Sequence, residues 1–248
     1  MSEALQQLRV VMVGTRNPLN LGAAARAMSN FEARNLRVVR PWELAFREAR
    51  SAVGAKDLLA QAEQYPTVAE AIADCSLVVG TTAARNREFH HPIKRLEDGA
   101  RLIRGRLATG PVALLFGSEK VGLSNSDLSH CHWLLRIPTR PEHSSMNLGQ
   151  AVAVCLYELV RNARSQPKKE KQPSAKAGEL ERITELLFDA LRTSGYVKPR
   201  TSDVTKEKLR RMVRRMQLDP EDATLWLGML RQIVWKLEQD PGEAENRK

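Results

Sequence analysis

The sequence predicts an α/β protein: a mostly parallel sheet with helices on both faces, followed by a small all-helical domain. Three observations lead there. Short β-branched and leucine-rich runs alternate with helix-forming stretches through the first two thirds of the 248 residues. Several of these runs are apolar at every position, which is the pattern of strands buried on both faces. From residue 179 onward the apolar spacing is helical alone.

Taken in order, residues 8–13 (LRVVMV), 36–39, 77–80 (LVVG), 112–116 (VALLF) and 133–137 read as strands. Residues 22–31, 56–64 and 68–73 between them carry helix formers, and residues 148–163 make a long closing helix. That alternation folds as a parallel sheet with helical layers. Residues 165–178, SQPKKEKQPSAKAG, hold two prolines, many charges and no large apolar side chain, and read as a linker between a domain of residues 1–164 and one of residues 179–248.

The second domain reads as three helices. Leu180, Ile183, Leu187 and Leu191 share one face of the first, and Leu209, Met212, Val213 and Met216 one face of the second. Asp219-Pro220 supplies an N-cap and first-turn proline for a third, with Trp226, Leu230, Ile233 and Leu237 inward. The middle helix also carries Lys206, Lys208, Arg210, Arg211, Arg214 and Arg215, and acidic i,i+4 partners for them are nearly absent, with Glu207 the one exception. A solvated surface would explain such a face; the scarcity of local carboxylates favours contact with phosphates.

The charge balance points the same way. The formal net charge is +10, from 39 Lys and Arg against 29 Asp and Glu, which favours a polyanionic partner, nucleic acid first. Cys75, Cys131 and Cys155 are odd in number and widely spaced, forming neither a disulfide framework nor a metal pair, and fit a reducing compartment. The first residues do not read as a signal peptide, and no run of 18 apolar residues occurs. A cytoplasmic protein is expected.

Ligands of open α/β sheets bind beyond the carboxyl ends of strands, so the loops there are the candidates. After the first strand, Thr15 to Arg26 runs from a polar turn into a helix of small residues that permit close approach; an ordinary capped helix with a surface arginine is the plainer alternative. After the third comes Gly80-Thr81-Thr82-Ala83-Ala84-Arg85. After the fourth, Phe116-Gly117-Ser118-Glu119-Lys120-Val121-Gly122-Leu123 has P-loop glycine spacing, but Leu123-Ser124 stands where Lys-Ser/Thr is required, so triphosphate binding is rejected. Before the closing helix, Ser144 or Ser145 is a candidate cap and Asn147 offers both donor and acceptor. His130-Cys131-His132 places alternate side chains on opposite sides of a strand, which disfavours a metal site. No GxSxG elbow occurs.

Three segments, Asn20 to Met28 (NLGAAARAM), Phe116 to Leu123 (FGSEKVGL) and Ser144 to Leu148 (SSMNL), resemble in order and spacing the three motifs of the SpoU-type RNA 2′-O-methyltransferases of the SPOUT superfamily. The resemblance covers roughly residues 6–163, and the helical extension resembles that of the TrmJ subfamily acting on the tRNA anticodon loop. It implies a trefoil knot, bound S-adenosylmethionine, a homodimer with sites at the interface, and 2′-O-methylation of cytidine or uridine at position 32 of tRNA. The cofactor would meet Thr81, Thr82, Ala83, Gly117, Ile137, Ser144, Ser145, Met146 and Asn147. Arg26 would be the catalytic arginine, with Asn20, Glu119 and Ser145 as the other polar catalytic positions. RNA would meet Arg26, Lys206, Arg210, Arg211, Arg214 and Arg215. The Thr81-Thr82-Ala83-Ala84-Arg85 loop is one residue longer than the TxAR pattern of the subfamily. Two other readings stay open: a catalytically silent knotted RNA-binding or assembly factor, and a DNA-binding regulator using the basic helix.

Overall fold

The computed structural model describes residues 5–41, 55–83, 90–161 and 173–239. In chain order the elements are β1 (Leu8–Val13), α1 (Pro18–Asn30), β2 (Asn35–Val39), α2 (Lys56–Ala60), β3 (Glu63–Tyr65), α3 (Val68–Ala71), β4 (Leu77–Thr81) and β5 (Ile93–Arg95). They continue with α4 (Leu96–Leu107), β6 (Val112–Phe116), α5 (Asn125–Ser129), β7 (Trp133–Arg136), α6 (Leu148–Arg161), α7 (Ala177–Thr193), α8 (Ser202–Arg215) and α9 (Pro220–Gln239).

The seven strands form one sheet in the order β3-β2-β1-β6-β4-β7-β5, with every pairing parallel. The continuous apolar runs follow from the period-two geometry of a strand, which sends successive side chains to opposite layers. Val10, Met12, Leu114 and Val79 join the core beneath α1, α4 and α6. Their neighbours Val11, Val13, Leu115 and Val78 join the other core, against α3 and α5. Between β1 and β6 the connections diverge, β1 leading to β2 on one side while β6 is followed by β7 on the other. At such a switch point the loops beyond the carboxyl ends spread apart and leave a crevice.

The five strands expected from apolar runs are present; β3 and β5 were not foreseen. Each is three residues long (EQY and IKR), with no apolar alternation to reveal it. Helix α4 was also not foreseen. Its buried residues Leu96, Gly99, Ala100, Ile103 and Leu107 keep helical spacing, and Gly99 lets the helix lie close to the sheet, since a Cβ there would lie 2.2 Å from Leu135 Cδ1 and displace that side chain. Helix α1 starts at Pro18, earlier than expected, because the Asn17 side chain caps it by accepting from Leu19 N.

The end of the expected linker is packed in place. Ala177 N donates to Cys75 O and Gly178 N to Ala73 O, Ala177 joins the core between the sheet and helices α3 and α5, and α7 begins at that residue. Residues 165–172 lie outside the described residues.

Two expected phosphate ligands on α8 need correction. Arg210 and Arg214 are buried, 7% and 1% exposed, and face inward with Val213. Glu181 of α7 supplies the carboxylate that a scan of neighbouring turns could not find: Arg210 Nε and Nη2 donate to it at 2.8 and 2.7 Å, and Arg214 Nη2 lies 3.8 Å from it. Arg210 Nη1 also donates to Ser129 Oγ at the end of α5 at 2.9 Å, and Arg214 Nη2 to Ala177 O. The helix is rotated accordingly, leaving Met212 and Met216, expected inward, partly exposed; on α9, Ile233 is likewise 47% exposed. Lys208 and Arg215 stay exposed, Lys206 lies over the Phe188 ring, and Arg211 pairs with Glu207.

Candidate active site

The loop after β6 is the centre of the site. Gly122 N donates to Ser118 O, Gly122 holds φ +69, and a Cβ on Gly117 would fall 2.1 Å from the Gly122 carbonyl carbon, so the turn closes only with glycine at 117. This tight turn presents Glu119 to the loop after β1. The carboxylate accepts from Asn20 Nδ2 at 3.0 Å and from the backbone N–H groups of Asn17 and Arg16 at 3.3 and 3.4 Å. Burial alone would raise its pKa, but the Asn20 amide and these N–H groups together hold it below the usual carboxylate range. Glu119 is therefore ionised at neutral pH.

The chain of bonds continues. Asn20 Oδ1 accepts from Asn147 Nδ2 at 2.9 Å, and Asn147 Oδ1 accepts from Gln150 N at 3.3 Å, capping α6. The cap is thus Asn147, where Ser144 or Ser145 was expected. One strut, Asn147 to Asn20 to Glu119, ties the start of α1 to two segments about a hundred positions or more further along the chain.

On one side of the β6 loop lies a cavity of about 360 Å³. It is walled by Thr81, Thr82 and Ala83 after β4, by Gly117 to Leu123, by Ile137 after β7, and by Ser144, Ser145 and Met146 before α6. Eight of the nine residues expected to hold a cofactor are on this wall; the ninth, Asn147, is engaged with Asn20 instead. Leu135, Ile137 and Ala151 make part of the wall apolar, while Ser144 Oγ is buried with no hydrogen-bond partner. A cavity of this size, mostly apolar with a few fixed polar groups, suits a small amphiphilic ligand. Ala84 and Arg85, in the loop that is one residue longer than the subfamily pattern, lie outside the described residues.

On the other side of the same loop is an open cleft of about 1270 Å³, bordered by Arg16, Asn20, Arg40, Glu119, Lys120 and Asp127. Sequence reasoning missed Arg40 and Asp127; the available signal was that Arg40 directly follows a strand. Arg26 is exposed on α1 and lines neither cavity. Of the remaining cationic positions expected at RNA, Arg211 and Arg215 lie near His91, where burial first and then their charge push the imidazole down to about 4. Within the His130-Cys131-His132 cluster, His132 Nδ1 accepts from Val78 N while His130 faces Glu181. No group of three or more potential metal ligands occurs among the described residues. No helix among them is long and apolar enough to cross a membrane.

Comparison with known proteins agrees with this geometry. The model of the SpoU rRNA Methylase family matches residues 7–157. The tRNA (cytidine/uridine-2'-O-)-methyltransferase TrmJ of Klebsiella pneumoniae is 37% identical over 239 residues, spanning 92% of this chain and 97% of the relative. Among solved structures, TrmJ from Z. mobilis ZM4 superposes with a TM-score of 0.78 at 32% identity, covering 91% of this chain and 98% of that one. The SpoU methyltransferase AviRb from Streptomyces viridochromogenes, in complex with the cofactor AdoMet, gives 0.50 at 25% identity, covering 65% of this chain and 59% of that one. With its three motif loops joined across the switch point and the family model spanning the sheet and both helical layers, the chain belongs to the SpoU rRNA Methylase family.

Proposed function

We propose that the protein transfers a methyl group from S-adenosylmethionine to a ribose 2′-hydroxyl of tRNA, at cytidine or uridine 32 of the anticodon loop, and works as a homodimer. The carrying observation is the strut from Asn147 through Asn20 to Glu119 beside the 360 Å³ cavity. The cofactor fits that cavity on physical grounds: apolar wall for the adenine and methylene groups, hydroxyls and backbone for the ribose and amino acid, and the orphan Ser144 Oγ as a waiting partner. When bound it supplies a methyl already activated on a sulfonium. The chain's own task is then alignment, which can contribute several kcal/mol (of the order of 7–11 at best) through proximity.

The residues divide accordingly. Glu119 and both ends of the Asn20 amide are occupied by partners within the chain, so they position the loops rather than carry protons. Ser145 stands exposed on the cavity wall. Arg26, which lines neither cavity of its own chain, is free to serve the cavity of a second copy, gripping the phosphate beside the target ribose. A guanidinium carries donors only and holds its proton firmly, which makes it a poor base but an apt bidentate clamp, so the hydroxyl proton leaves to solvent after transfer.

The test is transfer of a tritiated methyl from S-adenosylmethionine to bulk tRNA by the purified protein, followed by nucleoside mapping. Label recovered as 2′-O-methylcytidine or 2′-O-methyluridine at position 32 is expected. Binding of tRNA without transfer would leave the silent RNA-binding reading in its place.

A further inference from the structure

We propose that the cleft opposite the cofactor cavity is a phosphodiester subsite in which Arg40 holds the RNA strand beside the target ribose. The inference rests on the methyltransferase reading, and on three observations of its own.

The first is backbone conformation. Among the described residues, Glu32, Arg40 and Gln217 are the non-glycine residues with positive φ. Glu32 and Gln217 directly follow the C-caps of α1 and α8, where a left-handed residue closes a helix. Arg40, at φ +49, ends a strand, its N–H bonded to Tyr65 O, and no helix cap accounts for it. Unfavourable backbone states persist where the surroundings enforce them, and they concentrate at functional sites.

The second is a tether on its side chain. Asp127 of α5 is buried, its side chain 6% exposed, and its two oxygens are divided: Oδ1 accepts from Arg40 Nη2 at 2.7 Å, Oδ2 from Ser124 N and Oγ. One corner of the guanidinium is thereby fixed while the Arg40 side chain remains 51% exposed. A planar fork held by one corner is pre-organised to give its remaining donors to a phosphate.

The third is placement. The residues 118–122 wall the cofactor cavity on one side and this cleft on the other. A strand lying in the cleft therefore passes one loop's thickness from the cofactor wall. Arg16, Arg40 and Lys120 face it against Glu119 and Asp127, both of whose carboxylates are already occupied by donors. The net field is that of a groove for a polyanion, at a point Arg26 does not reach.

The experiment measures tRNA affinity against salt for the full-length protein. Arg40→Gln removes the charge while leaving a polar side chain; it should weaken tRNA binding about tenfold, the scale of one charge-assisted hydrogen bond. It should also reduce the slope of log affinity against log salt by about one. Arg40→Lys should retain the slope. Asp127→Asn frees the guanidinium without removing it and should retain the slope as well. An Arg40→Gln slope equal to that of the unaltered protein overturns the subsite, as does a slope that falls equally in Asp127→Asn, since Arg40 would then act only by bracing α5. Because the readout is binding, a wild-type protein that binds tRNA but transfers no methyl would sink the activity while leaving the cleft to be judged on its own.

Discussion

Gly117 and Gly122 belong to one turn and answer to different physics. A side chain at 117 would run into backbone, with the Gly122 carbonyl carbon at 2.1 Å and Leu123 N at 2.2 Å, neither of which can move aside as a flexible side chain would. Gly122 has open space around its missing Cβ but holds φ +69. Gly117→Ala should abolish binding of S-adenosylmethionine by calorimetry, because the shared wall of the cavity must move. Gly122→Ala should cost about 1 kcal/mol in a urea melt, the left-handed penalty, and keep binding measurable. Equal behaviour of the two would contradict this account. Much of the site was legible through the resemblance of three segments to known motifs: Gly117, Glu119, Ser144 and Met146 stand on the cavity wall, and Asn20 in the first turn of α1. The division of labour could not, because the bonds of Glu119 reach Arg16, Asn17 and Asn20 about a hundred positions away.

At the level of elements, apolar runs located the interior strands because β1, β4 and β6 are buried on both sides and need leucine and valine at nearly every position. Edge strands β3 and β5 have no such need and left no trace. Helix α8 was placed correctly along the chain and wrongly about its own axis. Its inward residues Arg210 and Arg214 look like a surface until Glu181 of a different helix is brought against them. Removing that carboxylate by Glu181→Ala should destabilise the protein by roughly 3–5 kcal/mol, since two guanidinium groups would be left buried without a counter-charge. Neutralising the exposed Arg215 by Arg215→Gln should cost less than about 0.5 kcal/mol. Chemical denaturation of the two variants checks the contrast; similar losses would mean that α8 is not seated as described.

For the molecule as a whole, acid should act early. His130 is pushed down to about 3 by burial and by Arg210, and His132 to about 3 by burial and by Arg214. In the unfolded chain both would titrate near about 6.5. Between that value and about 3 the unfolded state therefore binds protons that the folded state refuses, and stability falls as pH falls, on the order of 1 kcal/mol per pH unit for each histidine. Glu181, held below the ordinary carboxylate range, keeps its contribution until the pH drops further. The urea midpoint should drop clearly between about pH 7 and about pH 5. A flat midpoint would show that the two imidazoles are protonated within the fold. The sheet class was visible at this scale because alternation dictates parallel crossovers; strand order was not, because periodicity carries no information about which strands become neighbours.

The stitches from Ala177 and Gly178 to Cys75 and Ala73, with Arg210 bonded across to Ser129, have a geometric consequence. The helical portion cannot swing like a tethered arm; it stands at a set span from the catalytic crevice. On the proposed function, a polynucleotide touching both would have to bridge that fixed distance, as an object must fit the jaws of a caliper.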